Sequence, residues 1–248
     1  MSAPVFLVES ERLRRSDRVR LDGDEGRHAA IVRRIGVGES IDLADGNGHV
    51  ARSVVVDADR AGLVCEVRDR TDVPAPVPRL VVAQALAKGN RGELAVELLT
   101  EVGVDEIVPW SAQRCVVQWT AERGEKALRR WRMTAREAAK QSRRAWLPIV
   151  AELANTKHLA ERLTTAALAV VLHEDATMPL GAVDVPAAGE IALVVGPEGG
   201  VAPGELEAFT AAGAQTATLG PSVLRTSTAG TVAAGVLLSR TERWATRR

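Results

Sequence analysis

At 248 residues, with 46% hydrophobic side chains and 32 basic against 32 acidic ones, the chain can hold one large domain or two modest ones. Its overall charge announces no polyanionic partner. No apolar run reaches the roughly 18 residues of a membrane-spanning helix, and Met1–Glu25 has no signal-peptide pattern. Cys65 and Cys115 lie in apolar runs without CxxC spacing and read as core residues, neither disulfide nor metal ligands; a soluble cytoplasmic protein is expected.

Taken in order, residues 1–72 predict mostly β structure. Val5–Val8, Val19–Leu21, Ser40–Leu43, His49–Val56 and Gly62–Val67 are short apolar or alternating runs, separated by turns at Gly36–Glu39, Asp45–Gly48 and Asp57–Asp59. A helix is predicted over Gly26–Arg34. Strands so short and closely spaced suggest a small barrel. Asp72-Val73-Pro74-Ala75-Pro76-Val77-Pro78 follows, with prolines at alternate positions that forbid a helix. The domain division is placed there: 1–72, a linker at 73–79, and 80–248.

Beyond Arg79 the pattern becomes α/β. Leu80–Leu86 is a buried-type strand, and Glu93–Gly103 an amphipathic helix closed by Gly103. Ile107–Trp110 and Cys115–Trp119 read as further strands. Ala121–Trp146 reads as a helix with Trp131, Ala135, Ala138, Ser142 and Trp146 on one face. Arg129, Arg132, Arg136, Lys140 and Arg143 fall on the opposite face. Nine basic and two acidic residues between Arg123 and Arg144 would make a positive ridge suited to a polyanion. Ala166–Leu172 is another buried strand, and His173-Glu174-Asp175 after it reads as a surface loop, since three consecutive side chains point in different directions. Pro203–Ala212 and Ala229–Arg240 are helices, with Ala202 and Thr226 at their cap positions.

Two glycine-bearing turns organise the C-terminal third. Leu193–Val195 breaks into Gly196-Pro197-Glu198-Gly199-Gly200, and Leu219 into Gly220-Pro221-Ser222-Val223-Leu224-Arg225-Thr226. Strands that end in such turns present bare main chain to a ligand at their carboxyl ends. No GxGxxG, P-loop or Cys/His metal set occurs.

These two turns, in this order, resemble the GPEGG and LGxxxLRxxTA signatures of the SPOUT methyltransferases. More closely they are similar to the RsmE family, which methylates N3 of a uridine in small-subunit (16S) ribosomal RNA. Also similar are Ala87–Glu93, Thr100-Glu101-Val102-Gly103 and Glu137–Pro148, so the resemblance covers nearly the whole chain. It implies a PUA-like β-barrel RNA-binding domain followed by an α/β SPOUT domain with a C-terminal trefoil knot, S-adenosylmethionine as methyl donor, no metal, and a homodimer. In it, the cofactor pocket has three walls. Leu172 and His173 form one, and Val195, Gly196, Pro197, Glu198, Gly199 and Gly200 a second. Leu219, Gly220, Ser222, Val223, Leu224, Thr226 and Ser227 form the third. His28, Arg33 and Arg34 in the first domain, Lys88 and Arg91 in the lysine-glycine loop, and the five cations of the long helix are the RNA-binding candidates. Arg225 and Glu198 are the candidate catalytic groups. The family usually has Arg at Ser222 and Glu at Ser227, so no proton acceptor is assigned from sequence. A ribose 2′-O methyltransferase shares the glycine turns, and a non-catalytic RNA-binding module is the reading from another class.

Overall fold

Alternating burial along the N-terminal strands explains the sheet they form. In the computed structural model, which describes residues 3–245, these strands are β1 (Val5–Leu7), β2 (Arg18–Leu21), β3 (Ser40–Ala44), β4 (His49–Asp59) and β5 (Gly62–Asp72). They lie in the order β1-β3-β4-β5-β2. β1 runs parallel to β3, and the other neighbours are antiparallel. Leu21, Ile41, Leu43, Val55 and Leu63 share one core with Phe6, so both edge strands enclose the same interior, as in a small barrel-like sheet. Cys65 belongs to that core, and burial pushes its thiol up to about 11, which leaves it unreactive. α1 (Ser10–Arg15) was not expected; only Leu13 on it is buried, too little for a helical period to register. The helix predicted over Gly26–Arg34 is α2 (Gly23–Arg27) continued by a single π-type turn, His28–Val32.

The second sheet is parallel throughout. β6 (Arg79–Ala85), β7 (Glu106–Trp110), β8 (Ile149–Val150), β9 (Leu168–Leu172), β10 (Glu190–Val195) and β11 (Gln215–Ala217) lie in the order β11-β9-β10-β6-β7-β8. Leu80 and Val82 pack on one face and Val81, Ala83 and Ala85 on the other. A strand buried on both faces reads as a continuous apolar run rather than an alternating one. α3 (Arg91–Val102), α4 (Ala121–Gln141) and α7 (Thr226–Leu238) cover the first face through Val96, Leu99, Trp131 and Leu237. α5 (Thr156–Leu163) and α6 (Pro203–Ala211) cover the second through Leu159 and Phe209. Gly103 caps α3 with φ +106°, its N–H returned to the Thr100 carbonyl at 3.1 Å.

The structure differs from the sequence reading at several places. Cys115–Trp119 forms no strand; it is a loop whose Cys115, Val117 and Trp119 pack on the core while Val116 is exposed, with Trp119 edge-on to Trp131 at 5.0 Å. α4 ends at Gln141, not Trp146, and Arg143 takes a left-handed conformation (φ +56°). The division of the chain also has more than one crossing. One compact unit runs up to Ala75 and includes Ala139–Leu147; the other comprises Pro76–Ala138 and the chain from Pro148. Trp146 therefore packs within the first unit, its Nε1 donating to the Val73 carbonyl at 2.9 Å. A Cβ on Gly48 (φ +95°) would come within 2.8 Å of its ring.

At the amino ends of β6, β7 and β10 sits a cluster of ion pairs. The buried Glu106 carboxylate accepts from Arg162 at 2.5 and 2.9 Å and also from Arg79, while Glu190 accepts from Arg79 at 2.8 Å and from Arg162. Burial pushes the Glu106 carboxyl up, but the hydrogen bonds and charges of Arg162 and Arg79 together outweigh it and hold it below the usual range. A depressed folded value stabilises the fold above the ordinary Glu value of about 4.3, and that contribution is lost as pH falls through the folded value. Glu106→Ala is expected to cost about 1–3 kcal/mol, because it removes one of the two carboxylates that Arg79 and Arg162 share; urea denaturation at neutral pH reads this. As pH falls below about 4.3, the Glu106→Gln protein should lose part of the acid sensitivity of the native chain, read by urea denaturation across that range.

Candidate active site

All parallel strands end on one edge of the sheet, and the chain's bare turns gather there. After β10, Gly196–Gly200 folds into a tight turn in which the Gly200 N–H donates to the Pro197 carbonyl at 2.9 Å, with Gly200 at φ +74°. After β9, the His173 N–H donates to the Ala217 carbonyl at 3.0 Å, which joins that strand end to β11. After β11, Thr218 is held through both its N–H and its carbonyl by Met178 and Leu180, each at 2.9 Å. Beyond it Gly220–Arg225 is exposed, Val223 to 81%.

The chain then turns into α7, and its first residue fixes the site. The buried Thr226 hydroxyl donates to the Gly196 carbonyl at 2.7 Å and accepts from Gln84 Nε2 at 3.1 Å. Because a hydroxyl has one proton, these bonds make a directional relay from β6 through α7 to the β10 turn. Thr226 is thus not the cap expected from sequence; Arg225 holds the cap position, with no side-chain cap bond. α7 can approach because Gly230 faces Val195, Leu99 and Gln84, where a Cβ would come within 3.2 to 3.4 Å of each.

The three turns enclose a cleft of about 850 Å³, a size suited to a cofactor. It is lined by the expected Leu172, His173, Val195, Gly196, Pro197, Glu198, Gly200, Leu219, Gly220, Ser222, Val223, Leu224 and Thr226, and by both candidate catalytic residues, Arg225 and Glu198. Gly199 and Ser227 are not among its walls. Ser227 is 2% exposed in the first turn of α7, so its hydroxyl is not presented to the cleft, a correction to the sequence reading. Arg91, expected on an RNA surface, lines the cleft, and so do Arg114, Glu174 and Asp175, which sequence reasoning did not place there. Arg114 carried no signal because it lies between the runs read as strands, Ile107–Trp110 and Cys115–Trp119, and in no motif. The N–H groups of Ser222, Val223 and Leu224 have no acceptor among the described residues. Unpaired main-chain donors between apolar walls fit a flat heteroaromatic ring with polar edges.

The sequence pattern of an RNA methyltransferase domain matches residues 73–238, and that of an RNA methyltransferase PUA domain matches 21–68. The ribosomal RNA small subunit methyltransferase E of Mycobacterium bovis is 50% identical over 228 residues, which cover 90% of this chain and 87% of that protein. The chain belongs to the ribosomal RNA small subunit methyltransferase E family. The Bacillus subtilis member is 29% identical over 90% of each chain. The Neisseria gonorrhoeae member, solved bound to S-adenosyl methionine, superposes with a TM-score of 0.84 at 26% identity, over 96% of this chain and 98% of that one. The fold is that of the family, a SPOUT-type α/β domain behind a PUA-like β domain. Among the described residues no group of His, Cys, Asp or Glu is placed to hold a metal ion, and no helix is long and apolar enough to cross a membrane.

The cations expected to meet RNA have different surroundings. Arg129, Arg136 and Arg143 are exposed, Arg129 with Glu125 at 3.6 Å. Arg132 is tied to the Val150 carbonyl at 3.2 Å and to Glu152 at 2.7 Å. Lys140 is the clearest departure: its side chain is 9% exposed and its Nζ lies 3.0 Å from Glu25, so it is not offered to phosphate. Lys88 is exposed, and its backbone N–H donates to Glu198 Oε1 at 3.3 Å. In the first unit Arg33 and Arg34 are exposed, while His28 is half-buried beside Phe6.

The relay is directly testable. Thr226→Val keeps the shape of the side chain but removes the hydroxyl donor of the Gly196 carbonyl and leaves the Gln84 amide with its longer main-chain bonds to Ala85 and residue 226, and is expected to cost about 1–3 kcal/mol in denaturant unfolding.

Proposed function

We propose that this chain transfers a methyl group from S-adenosylmethionine to N3 of a uridine in small-subunit (16S) ribosomal RNA. The observation that carries the reading is the cleft at the carboxyl ends of β9, β10 and β11, built of bare main chain with apolar walls, in a member of a ribosomal RNA methyltransferase family. Leu172, Val195 and Leu224 would flank the adenine ring, and the main chain of Gly196–Gly200 and Leu219–Leu224 would meet its polar edges. When bound, the sulfonium donor supplies an electrophilic methyl group.

What the protein itself must do follows from the nucleophile. N3 of uracil carries a proton between two carbonyls and is reactive only once that proton has gone, when negative charge spreads to O2 and O4. Arg225, at the lip of the cleft and without a carboxylate partner among the described residues, would stabilise that charge. Glu198 is the carboxylate of the glycine turn. One of its oxygens is engaged by the Lys88 N–H, and the other is our candidate proton acceptor. Holding base and donor in line is the larger part of the catalysis, since the leaving sulfur becomes neutral.

Exposed Arg129 and Arg136 on one unit, and His28, Arg33, Arg34 and Arg143 on the other, would bind RNA phosphate. A homodimer in the cytoplasm completes the proposal; exposed Val223 (81%) and Val232 (45%) are apolar surface suited to a partner copy.

Small subunits from a strain lacking the enzyme should gain one methyl group on incubation with the protein and donor, and nucleoside mass mapping should locate it on uracil N3. A methyl on ribose would replace the base reading, and no saturable uptake of labelled donor would leave an RNA-binding module. Arg225→Ala should lower kcat by about 100-fold with donor affinity unchanged; an unaltered methylation rate would remove Arg225 from the mechanism.

A further inference from the structure

We infer that Arg114 is a positioning residue that locks the peptide plane between Gly199 and Gly200, and through it the donor-binding turn. The inference rests on the proposed cofactor role of that turn and assigns a function to a side chain outside the family signatures read from the sequence.

A glycine–glycine peptide is the easiest place for a main chain to rotate, because no Cβ resists either orientation. Here that unit is held at both ends. Its N–H, from Gly200, donates to the Pro197 carbonyl at 2.9 Å. Its carbonyl, from Gly199, accepts from Arg114 Nη1 at 3.1 Å. Rotation would break both bonds at once, one of them charge-assisted. The arginine side chain also lies directly against the turn. A Cβ on Gly199 would sit 3.2 Å from Arg114 Cβ, and one on Gly200 would be 3.8 Å from Nη1. Gly199 is therefore bare on the side where the clamp approaches, not on a wall of the cleft.

A clamp is only as fixed as its own backbone, and the Arg114 loop is anchored from below. The buried Glu205 carboxylate accepts from the neighbouring Gln113 N–H at 2.8 Å, from Thr156 Oγ1 at 2.9 Å and from the Ala202 N–H at 3.1 Å. One carboxylate thus joins the start of α6, the start of α5 and the loop that carries Arg114. The Ser111 N–H adds a bond to the Ala154 carbonyl at 2.9 Å. Arg114 pairs with no carboxylate among the described residues, and among them the Gly199 carbonyl is the acceptor of its guanidinium.

The test uses the full chain without donor and then with it. In Arg114→Met, amide exchange at Gly200 should quicken about tenfold in the donor-free protein. The Kd for S-adenosylmethionine should rise by about the same factor, while kcat at saturating donor stays near the native value. Arg114→Lys, which can still reach the carbonyl with one charged donor, should recover part of both effects. Native exchange at Gly200 together with native donor affinity in Arg114→Met would overturn the inference. So would faster exchange spread equally over β10 and α6, which marks general loosening, or a loss confined to kcat, which would place Arg114 at the reacting groups. If the native protein takes up no donor, the proposed function falls, while the exchange comparison still decides the lock.

Discussion

The hydrogen bond from the Thr226 hydroxyl to the Gly196 carbonyl is the constraint on which the site depends. It joins residues 30 positions apart and sets where α7 begins relative to the turn after β10. Gln84 supports it from the floor of the sheet, at the expense of one amide oxygen, Oε1, buried without a partner among the described residues. An unpaired buried acceptor is costly, so this amide is better understood through its donor. The small residues of α7 serve the same geometry: Gly230, Ala233 and Ala234 are buried where larger side chains would hold the helix away from β6 and β10.

The parallel sheet separates its two edges by chemistry. At the amino ends of the strands, Arg79, Glu106, Arg162 and Glu190 satisfy one another as buried or half-buried charges. At the carboxyl ends, side chains give way to glycine, proline and main chain. An edge consumed by ion pairs has no free polar groups for a ligand, whereas a turn of bare peptides has many. Close-packed strands lie beneath the site, and the exposed Gly220–Arg225 segment lies at its lip.

Basic residues in this chain divide between fold and surface, and composition does not distinguish the two. Lys140 and Arg132 lie in the positive run of α4, yet one pairs with Glu25 and the other holds the strand beside it. Arg91 and Arg114 come from unrelated parts of the sequence and meet at the cleft. Guanidinium groups are suited to both tasks because their five donors can serve a carbonyl and an anion equally well. Only the placement of acceptors decides which.

Local chemistry was legible from the sequence. Short alternating runs identified the first sheet, continuous apolar runs the parallel one, Gly103 the end of α3, and the two glycine turns the walls of the cleft. Each depends on residues close in sequence, where periodicity and backbone freedom act directly. What the tertiary structure alone decided were pairings across long separations. Trp146 left its helix to pack under Val73, and Cys115–Trp119 became a loop because the sheet core, not a neighbouring strand, covered its apolar side. Ser227 turned inward while Thr226 took up Gly196, and Arg114 found Gly199 across 85 residues. The physical reason is that a hydrogen bond or a packing contact depends on distance in space, and one sequence records only distance along the chain.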